Sequence, residues 1–298
     1  MTIEGFCNVA DARELIVGLY RSKNVNIPSE SELWYLLEEM RKFTAGIKNI
    51  SAGKTPSETD DLAMVVGFNL LRGCRLSESL QPLSNANVPH ITQTLRTLAS
   101  FKHCIAQHRL QFDESEYELY MASQFVGLGP RVSFIDTKRP SRFKQRVEFM
   151  LGYKWPVECK HPRSERGILV NIDAALKKLN ERSQAGIICI GLEVALPMKT
   201  APYLEVMKAA DVVQVVSQHV EPWLTKHREM LSERLMQSYG RFIIFTYTIS
   251  NYIHEDQHVG LPSLRLALSA TGWWIDKDAI KTCLDSLTRE RTIRSDSQ

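Results

Sequence analysis

The sequence lacks several features that would each indicate a particular class of protein. It has no Cys-x-x-Cys pair and no group of cysteines and histidines at zinc-binding spacing, so a structural zinc domain is not expected. No run of about 18 apolar residues occurs, and the N-terminus does not place an apolar core after a basic region. The six cysteines are scattered, as is typical of reduced thiols. We therefore expect a cytoplasmic protein with no membrane partner.

Two common catalytic motifs are also missing. The sequence contains no Gly-x-x-x-x-Gly-Lys-Ser/Thr phosphate loop and no Gly-x-Ser-x-Gly elbow, so phosphate-loop nucleotide hydrolysis and serine-hydrolase chemistry lack support. The net charge of +3 is too small to indicate a nucleic-acid-binding protein by itself. Any phosphate-binding surface must therefore be a local patch.

Residues 1–112 have the pattern of a helical region. Ser29 to Glu32 fits a capping box, and apolar residues follow it at helical spacing. A second apolar stripe begins at Leu62, and a third helix is expected from Thr92 to His108. The segments between them that are rich in Ser, Asn and Pro are predicted to be loops, at residues 48–60 and 77–89.

From residue 113 the pattern changes to alternating helices and strands, which predicts an α/β fold. The expected order is helix 114–126, strand 131–135, strands 147–151 and 155–160, helix 168–182, strand 186–194, helix 203–239 and strand 241–250. Pro222 is expected to break or kink the last of these helices. The sequence thus predicts an N-terminal helical region (1–112), an α/β core (113–252) and a C-terminal extension (253–298) of unassigned role.

The two short strands at 147–151 and 155–160 carry the most informative side chains. Side chains alternate along a strand, so Glu158 and Lys160 share one face while Val157 and Cys159 share the other. Glu148 projects from the otherwise apolar preceding strand, and the Gly152-Tyr153 step permits a hairpin. The alternative for Glu158 and Lys160 is an exposed charge pair on a solvated sheet face.

The acid-any-lysine triplet occurs twice in the chain. The other copy, Asp136-Thr137-Lys138, has no acid on a preceding strand. Glu158-Cys159-Lys160 has Glu148 in that place, and this context makes it the better candidate.

Glu118 is the acid on the preceding helix that would join this pair. It lies on the same helical stripe as Ala122 and Phe125, so its carboxylate is expected to be directed towards the sheet. Three neighbouring carboxylates in a low-dielectric setting require a proton or a cation. Mg²⁺, which prefers oxygen ligands, is the expected ion. A surface position for Glu118 is the alternative.

The order of these elements resembles the PD-(D/E)XK nuclease superfamily, whose core is a restriction-endonuclease-like mixed sheet flanked by helices. The resemblance covers residues 114–250. Glu118 to Ala122, leading into Gly129 to Phe134, resembles the first family helix and the strand after it. The remaining matches are Val147-Glu148-Phe149 with the Pro-Asp-Phe segment, Val157 to Pro162 with the lysine strand, and Gly186 to Ile190 with the strand after the second core helix.

The resemblance implies a role for each matching residue. Glu148 and Glu158 would bind Mg²⁺ or Mn²⁺, with the Cys159 carbonyl as a third ligand and Glu118 as a further ligand or a supporting acid. Lys160 would orient the attacking water or stabilise charge on the phosphate. Gln184 is a further polar candidate. The family usually has Asp preceded by Pro where this chain has Glu148 preceded by Val147, which moves the carboxylate by about 1.5 Å.

Several basic residues and one histidine are further candidates for a role in the site. The run containing Lys138, Arg139, Arg142, Lys144 and Arg146 is interpreted either as a loop that binds phosphates or as a solvated loop. The Lys177, Lys178 and Arg182 side chains are expected on the wet face of their helix, and His161 in a packing or turn role.

The resemblance implies a metal-dependent nuclease that hydrolyses phosphodiesters, with DNA the preferred substrate. The alternative is a catalytically inactive, nuclease-like binding protein that kept the fold and lost productive metal geometry at Glu148. The N-terminal helices would bind a protein partner, position the substrate, restrain the activity or build a homo-oligomer.

Overall fold

The computed structural model describes most of the N-terminal helices and most of the central sheet. The described residues are 6–51, 59–135, 148–152, 154–198, 209–248, 251–253, 258–260, 263–270, 273–275, 281 and 285. They contain seven helices and ten strands. None of the described helices is both long enough and apolar enough to cross a membrane.

The N-terminal region is helical, as the sequence predicts, except for one short strand at its start. Asn8 begins the first helix, since its side chain accepts hydrogen bonds from the backbone amides of Ala10 and Asp11. The elements are β1 (Phe6–Asn8), α1 (Val9–Ser22), α2 (Glu32–Ser51), α3 (Thr59–Asn85) and α4 (Ile91–Ser100).

Two predicted boundaries in this region are wrong. The cap of α2 is Ser31 rather than Ser29, because the Ser31 hydroxyl accepts a hydrogen bond from the Trp34 amide at 3.1 Å. The predicted loop at 77–89 is helical as far as Asn85, because Leu80 and Leu83 are fully buried and their packing outweighs the weak helix propensity of the surrounding serines.

The third predicted helix also ends early. α4 stops at Ser100, and residues 106–108 belong to the next helix, α5 (Ala106–Gly127). The predicted boundary between residues 112 and 113 falls inside α5. Apolar residues of α1 to α5 share one buried cluster with apolar residues of the sheet.

The central sheet is mixed and has seven strands in the described residues. The remaining elements are β2 (Val132–Phe134), β3 (Phe149–Leu151), β4 (Trp155–Lys160), α6 (Glu165–Arg182), β5 (Gly186–Gly191), α7 (Ala209–Met236), β6 (Gly240–Thr248), β7 (Asn251–Ile253), β8 (His258–Gly260), β9 (Ser263–Ser269) and β10 (Trp273–Ile275). The strand order is β10-β9-β6-β5-β4-β3-β2, with β4, β5 and β6 parallel and the other neighbours antiparallel. The fold is therefore α/β, as predicted.

The C-terminal residues take part in two sheets. β9 pairs with β6 from Phe242 to Thr248, so residues 263–269 extend the central sheet. β7 and β8 form a separate sheet with β1, which joins the start of the chain to a segment near its end.

The two faces of the central sheet are covered by different helices. Val157 and Cys159 on β4 lie in the cluster that contains α5 and the N-terminal helices. Ile188 on β5 lies in the second cluster, with residues of α6 and α7. Because Glu158 is paired in register with Ile188, it lies on the face covered by α6.

Candidate functional site

A hairpin brings the two predicted acids together. Gly152 has a φ of +55°, a conformation that favours glycine, and the Lys154 amide donates a hydrogen bond to the Leu151 carbonyl at 3.0 Å. The Glu148 amide donates to the Val157 carbonyl at 3.2 Å, which places Glu148 beside Glu158. The predicted hairpin and the alternation along β4 are both confirmed.

Four charged side chains meet at this point, and we call Glu148, Glu158, Lys160 and Lys178 the ion quartet. Nζ of Lys160 lies 2.8 Å from Oε1 of Glu148 and 3.6 Å from Oε2 of Glu158. Nζ of Lys178 lies 2.8 Å from Oε2 of Glu158 and 3.7 Å from Oε1 of Glu148. Each ammonium group therefore contacts both carboxylates.

The two glutamate side chains are the most buried members of the quartet. The Glu158 side chain is 0% exposed and that of Glu148 is 11% exposed, whereas those of Lys160 and Lys178 are 18% and 23% exposed. A charge at full burial requires close partners, because removing it from water is costly. The interpretation of Glu158 as part of a solvated surface pair is therefore wrong.

One oxygen of each carboxylate has no hydrogen-bond partner in the described part of the chain. These atoms are Oε2 of Glu148 and Oε1 of Glu158, and both are buried. A buried acceptor without a partner costs about 1–3 kcal/mol, and more when it is charged. The pair of unbonded oxygens is the feature of this site that a cation or a proton would satisfy.

Burial and like charge both favour protonated acids here. Burial, and then the neighbouring Glu148 carboxylate, raise the pKa of Glu158 to about 8, although Lys160 and Lys178 oppose this rise. Burial opposes the charged form of Lys160, but Glu148 and Glu158 outweigh it and raise the pKa of Lys160 above its ordinary value. The surroundings therefore favour the protonated form of Glu158 and the charged form of Lys160.

Glu118 belongs to the helix that covers the opposite face of the sheet from α6. It belongs to α5, where Ala122 and Phe125 are buried as the helical stripe predicts, and its own side chain is partly buried. Burial, and then the Glu148 carboxylate, raise the pKa of Glu118 well above its ordinary value, with a smaller effect from Glu158. Glu118 is therefore coupled more strongly to Glu148 than to Glu158, which faces α6.

The donor atoms fit a hard cation in part. No group of three or more His, Cys, Asp or Glu side chains in the described ranges is arranged so that it could hold a metal ion. The two unbonded oxygens of Glu148 and Glu158 are nevertheless suitable, because Mg²⁺ is commonly bound by one or two carboxylates, with water and substrate oxygens as its other ligands. The Cys159 thiol is buried on the opposite face, so only its carbonyl remains a candidate ligand.

Lys178 and Arg182 are not on the wet face of α6, and that expectation is wrong. Lys178 contacts both acids, and Arg182 is partly buried, where it interacts electrostatically with Glu158. Lys177 is exposed, as expected. The spacing of residues along α6 indicates that Lys178 is not on the wet face. Lys178 follows the buried Ala175 by three positions and so borders the apolar stripe.

Two other predicted residues have structural contacts. The Gln184 side chain donates a hydrogen bond to the Lys154 carbonyl at 2.8 Å, which fixes the turn of the hairpin. His161 is buried, stacks on Tyr117 and lies 3.4 Å from Glu193, so its predicted packing role is confirmed. The basic run at Lys138, Arg139, Arg142, Lys144 and Arg146 lies outside the described residues, and its role stays a prediction.

A second set of buried charges joins α3 to the segment that follows Lys160. Arg75 forms ion pairs with Glu116 on α5 and with Glu193 after β5. Arg72, one helical turn earlier, forms an ion pair with Asp113 on α5, which in turn pairs with Arg163. Sequence reasoning found none of these contacts.

The comparisons with known proteins find no matching family model, no matching curated protein and no matching solved structure. The likeness to the PD-(D/E)XK nucleases therefore rests on the residues and on the order of the elements.

Proposed function

We propose that this protein is a metal-dependent nuclease that hydrolyses phosphodiester bonds, with DNA as the preferred substrate. The observation that carries the proposal is the buried pair Glu148 and Glu158, in which each carboxylate contacts Lys160 and keeps one oxygen unbonded in the described structure. Two acids and a lysine at this separation supply the groups that metal-assisted phosphodiester hydrolysis requires.

The order of the elements supports a restriction-endonuclease-like core. α5, which contains Glu118, is followed by the antiparallel strands β2, β3 and β4, then by α6 and by β5 parallel to β4. This is the helix, strand, hairpin, helix and strand order on which the resemblance rests. The candidate acids lie where β3 and β4 are adjacent.

In the proposed reaction, Glu148 and Glu158 would hold Mg²⁺ or Mn²⁺ through their unbonded oxygens. When bound, such an ion polarises the scissile phosphate and lowers the pKa of a water molecule. Lys160, held between both carboxylates, stabilises negative charge on the phosphate. Glu118 contributes a carboxyl group whose raised pKa lets it retain a proton beside Glu148.

One observation favours the second candidate, a non-catalytic nucleic-acid-binding protein. The two ammonium groups of the ion quartet already balance the charge of its two carboxylates, so the quartet also satisfies the requirements of a structural ion-pair network. In that case the partly exposed Lys160 and Lys178 would bind phosphates without cleaving them.

Cleavage assays with the full chain separate the two candidates. Single-stranded and duplex DNA and RNA are incubated with wild type, Lys160→Ala and Glu158→Ala in Mg²⁺ or Mn²⁺, and Glu181→Ala serves as a control because Glu181 is exposed on α6. The nuclease proposal expects metal-dependent cleavage that both site variants abolish and the control retains. Unchanged cleavage in the site variants would refute the assignment, and binding without cleavage by wild type supports the second candidate. Thermal melting of each variant shows whether a loss reflects unfolding.

A further inference from the structure

We propose that Lys178 is a second phosphate-binding residue of this site, so that the scissile phosphodiester is bound by ammonium groups from both β4 and α6. This inference rests on the proposed function and deepens it. It assigns a direct substrate contact to a residue of α6, outside the acid-any-lysine strand on which the resemblance rests.

The contact distances show that Lys178 and Lys160 are equivalent in their relation to the acids. Each ammonium lies 2.8 Å from one carboxylate and within 3.7 Å of the other. The repulsion between the two ammonium groups is offset by the carboxylates that both of them contact. The two ammonium groups therefore share the same pair of carboxylate partners and belong to one site.

The lysine side chains of the quartet are closer to solvent than the glutamate side chains. Glu158 is fully buried, whereas both lysines remain partly exposed. An anion that approaches from solvent thus meets the ammonium groups before the carboxylates. Their partial exposure leaves both lysine side chains accessible to a ligand from solvent.

Arg182 adds positive charge on the same side of α6. It lies one turn after Lys178 and interacts electrostatically with Glu158. The exposed Lys177 lies next to Lys178 in sequence, but it is rotated about 100° around the helix axis from Lys178. The chain therefore offers a matched control, since the same substitution at 177 and 178 changes net charge equally.

The first experiment measures DNA binding without metal, so that cleavage does not enter. Fluorescence anisotropy of a labelled 20-nucleotide single-stranded DNA in EDTA is recorded for wild type, Lys178→Met, Lys178→Arg and Lys177→Met at several salt concentrations. We expect Lys178→Met to weaken binding about tenfold and to reduce the slope of log affinity against log salt by about 0.7, the value for one lost phosphate contact on a single strand. Lys178→Arg retains charge and is expected to bind within about threefold of wild type, and Lys177→Met to be unchanged.

A purely structural role predicts a different result. Lys178→Met would then lower the melting temperature while the folded protein bound DNA with the wild-type affinity and salt slope, and this outcome would overturn the inference. If Lys178→Met does not fold, the comparison of Lys178→Arg with a Lys178→Gln variant at a lower temperature gives the same test. Equal affinity and slope in the two variants would also overturn it.

The second experiment separates this inference from the proposed function. Steady-state cleavage with Mn²⁺ is expected to show a raised KM and a lowered kcat for Lys178→Met, and wild-type values for Lys177→Met. If wild type cleaves and Lys178→Met is unaffected in binding and cleavage, the inference fails and the nuclease proposal stands. If wild type never cleaves but Lys178→Met loses the phosphate contact, the nuclease proposal fails and the phosphate-binding role stands. If wild type neither binds nor cleaves DNA, both fail.

Discussion

The Arg75 guanidinium on α3 binds both carboxylate oxygens of Glu116 on α5, with Nε 2.6 Å from Oε1 and Nη2 3.0 Å from Oε2. Both side chains are 1% exposed. Arg75 also contacts Glu193, which follows β5 and lies beside His161, the residue after Lys160. The N-terminal helices are thus joined through buried charges to the end of the strand that contains the candidate lysine.

Replacing Arg75 tests the importance of this connection for folding. Arg75→Met leaves the buried carboxylates of Glu116 and Glu193 without their main cation, so we expect the free energy of unfolding to fall by about 3–5 kcal/mol. Urea unfolding at pH 7 measures the change. Arg96→Met is the control, because Arg96 is exposed on α4. Adding Glu116→Gln to Arg75→Met should recover part of the loss, and a double variant no more stable than the single one would contradict this explanation.

Glu193, one of the two acids bound by Arg75, gives a prediction about how stability depends on pH. Burial would raise the pKa of Glu193, but Arg75 and then His161 outweigh it and lower the pKa from 4.5 to about 2. A lowered pKa means that the charged form stabilises the folded state, so its contribution is complete above about pH 4.5 and is lost as the pH falls towards 2. We expect Glu193→Gln to be less stable than wild type at pH 7, and the difference to shrink below pH 4.5. Urea unfolding of both proteins from pH 7 to pH 3 tests this, with Glu229→Gln as an exposed control, and a constant difference would exclude the mechanism.

Gly191 packs closely against His161, which gives a prediction about the effect of a larger side chain at this position on stability. A Cβ at this position would lie 2.6 Å from Cδ2 of His161 and 3.1 Å from the Tyr117 ring. We expect Gly191→Ala to destabilise the protein by about 1–3 kcal/mol, because two buried rings would have to move. Gly18 is the opposite case, since nothing lies within 4 Å of its Cβ position on α1, and Gly18→Ala should stabilise by about 0.5–1 kcal/mol. Thermal or urea unfolding of both variants measures the change in the free energy of unfolding. Changes of the same sign in the two variants would contradict this explanation.

The longer acid at 148 gives a prediction about activity. Oε1 of Glu148 lies 2.8 Å from Lys160, and a shorter side chain would withdraw the carboxylate by about 1.5 Å. If the site is adapted to glutamate, Glu148→Asp lowers kcat/KM by about 10²-fold, because catalytic groups tolerate displacements of this size poorly. Cleavage kinetics in Mn²⁺ measure the effect, with Glu181→Asp as the control. A Glu148→Asp enzyme as active as wild type would show that the extra methylene has no such role.

The local features of the site were predictable. The alternation along β4, the turn at Gly152 and the buried stripe of α5 follow from backbone geometry, which neighbouring residues determine. The same reasoning misplaced the cap of α2 by two residues and assigned a loop to residues 77–85. For the second of these, tertiary packing was decisive, since Leu80 and Leu83 are fully buried in the shared core.

The contacts of charged residues were much less predictable. Arg75 is separated from Glu116 by 41 positions and from Glu193 by 118, and no local pattern indicates such partners. Lys178 was expected to be exposed because it is charged and follows Lys177. Only the packing of α6 against β4 shows that it contacts Glu158.

The sequence by itself determined the α/β pattern and the hairpin, because these depend on periodicity and on turn chemistry over a few residues. The choice of Glu148, Glu158 and Lys160 as the candidate site came from the order of the predicted elements and from the family resemblance. Only the tertiary structure decided how those side chains are used. Burial beside β3 and β4 leaves one oxygen of each acid unbonded, and α6, which covers the same face as Glu158, supplies Lys178. An ion pair forms only between groups that are close in space. The partners of a charged residue are therefore determined by the fold and not by spacing along the chain.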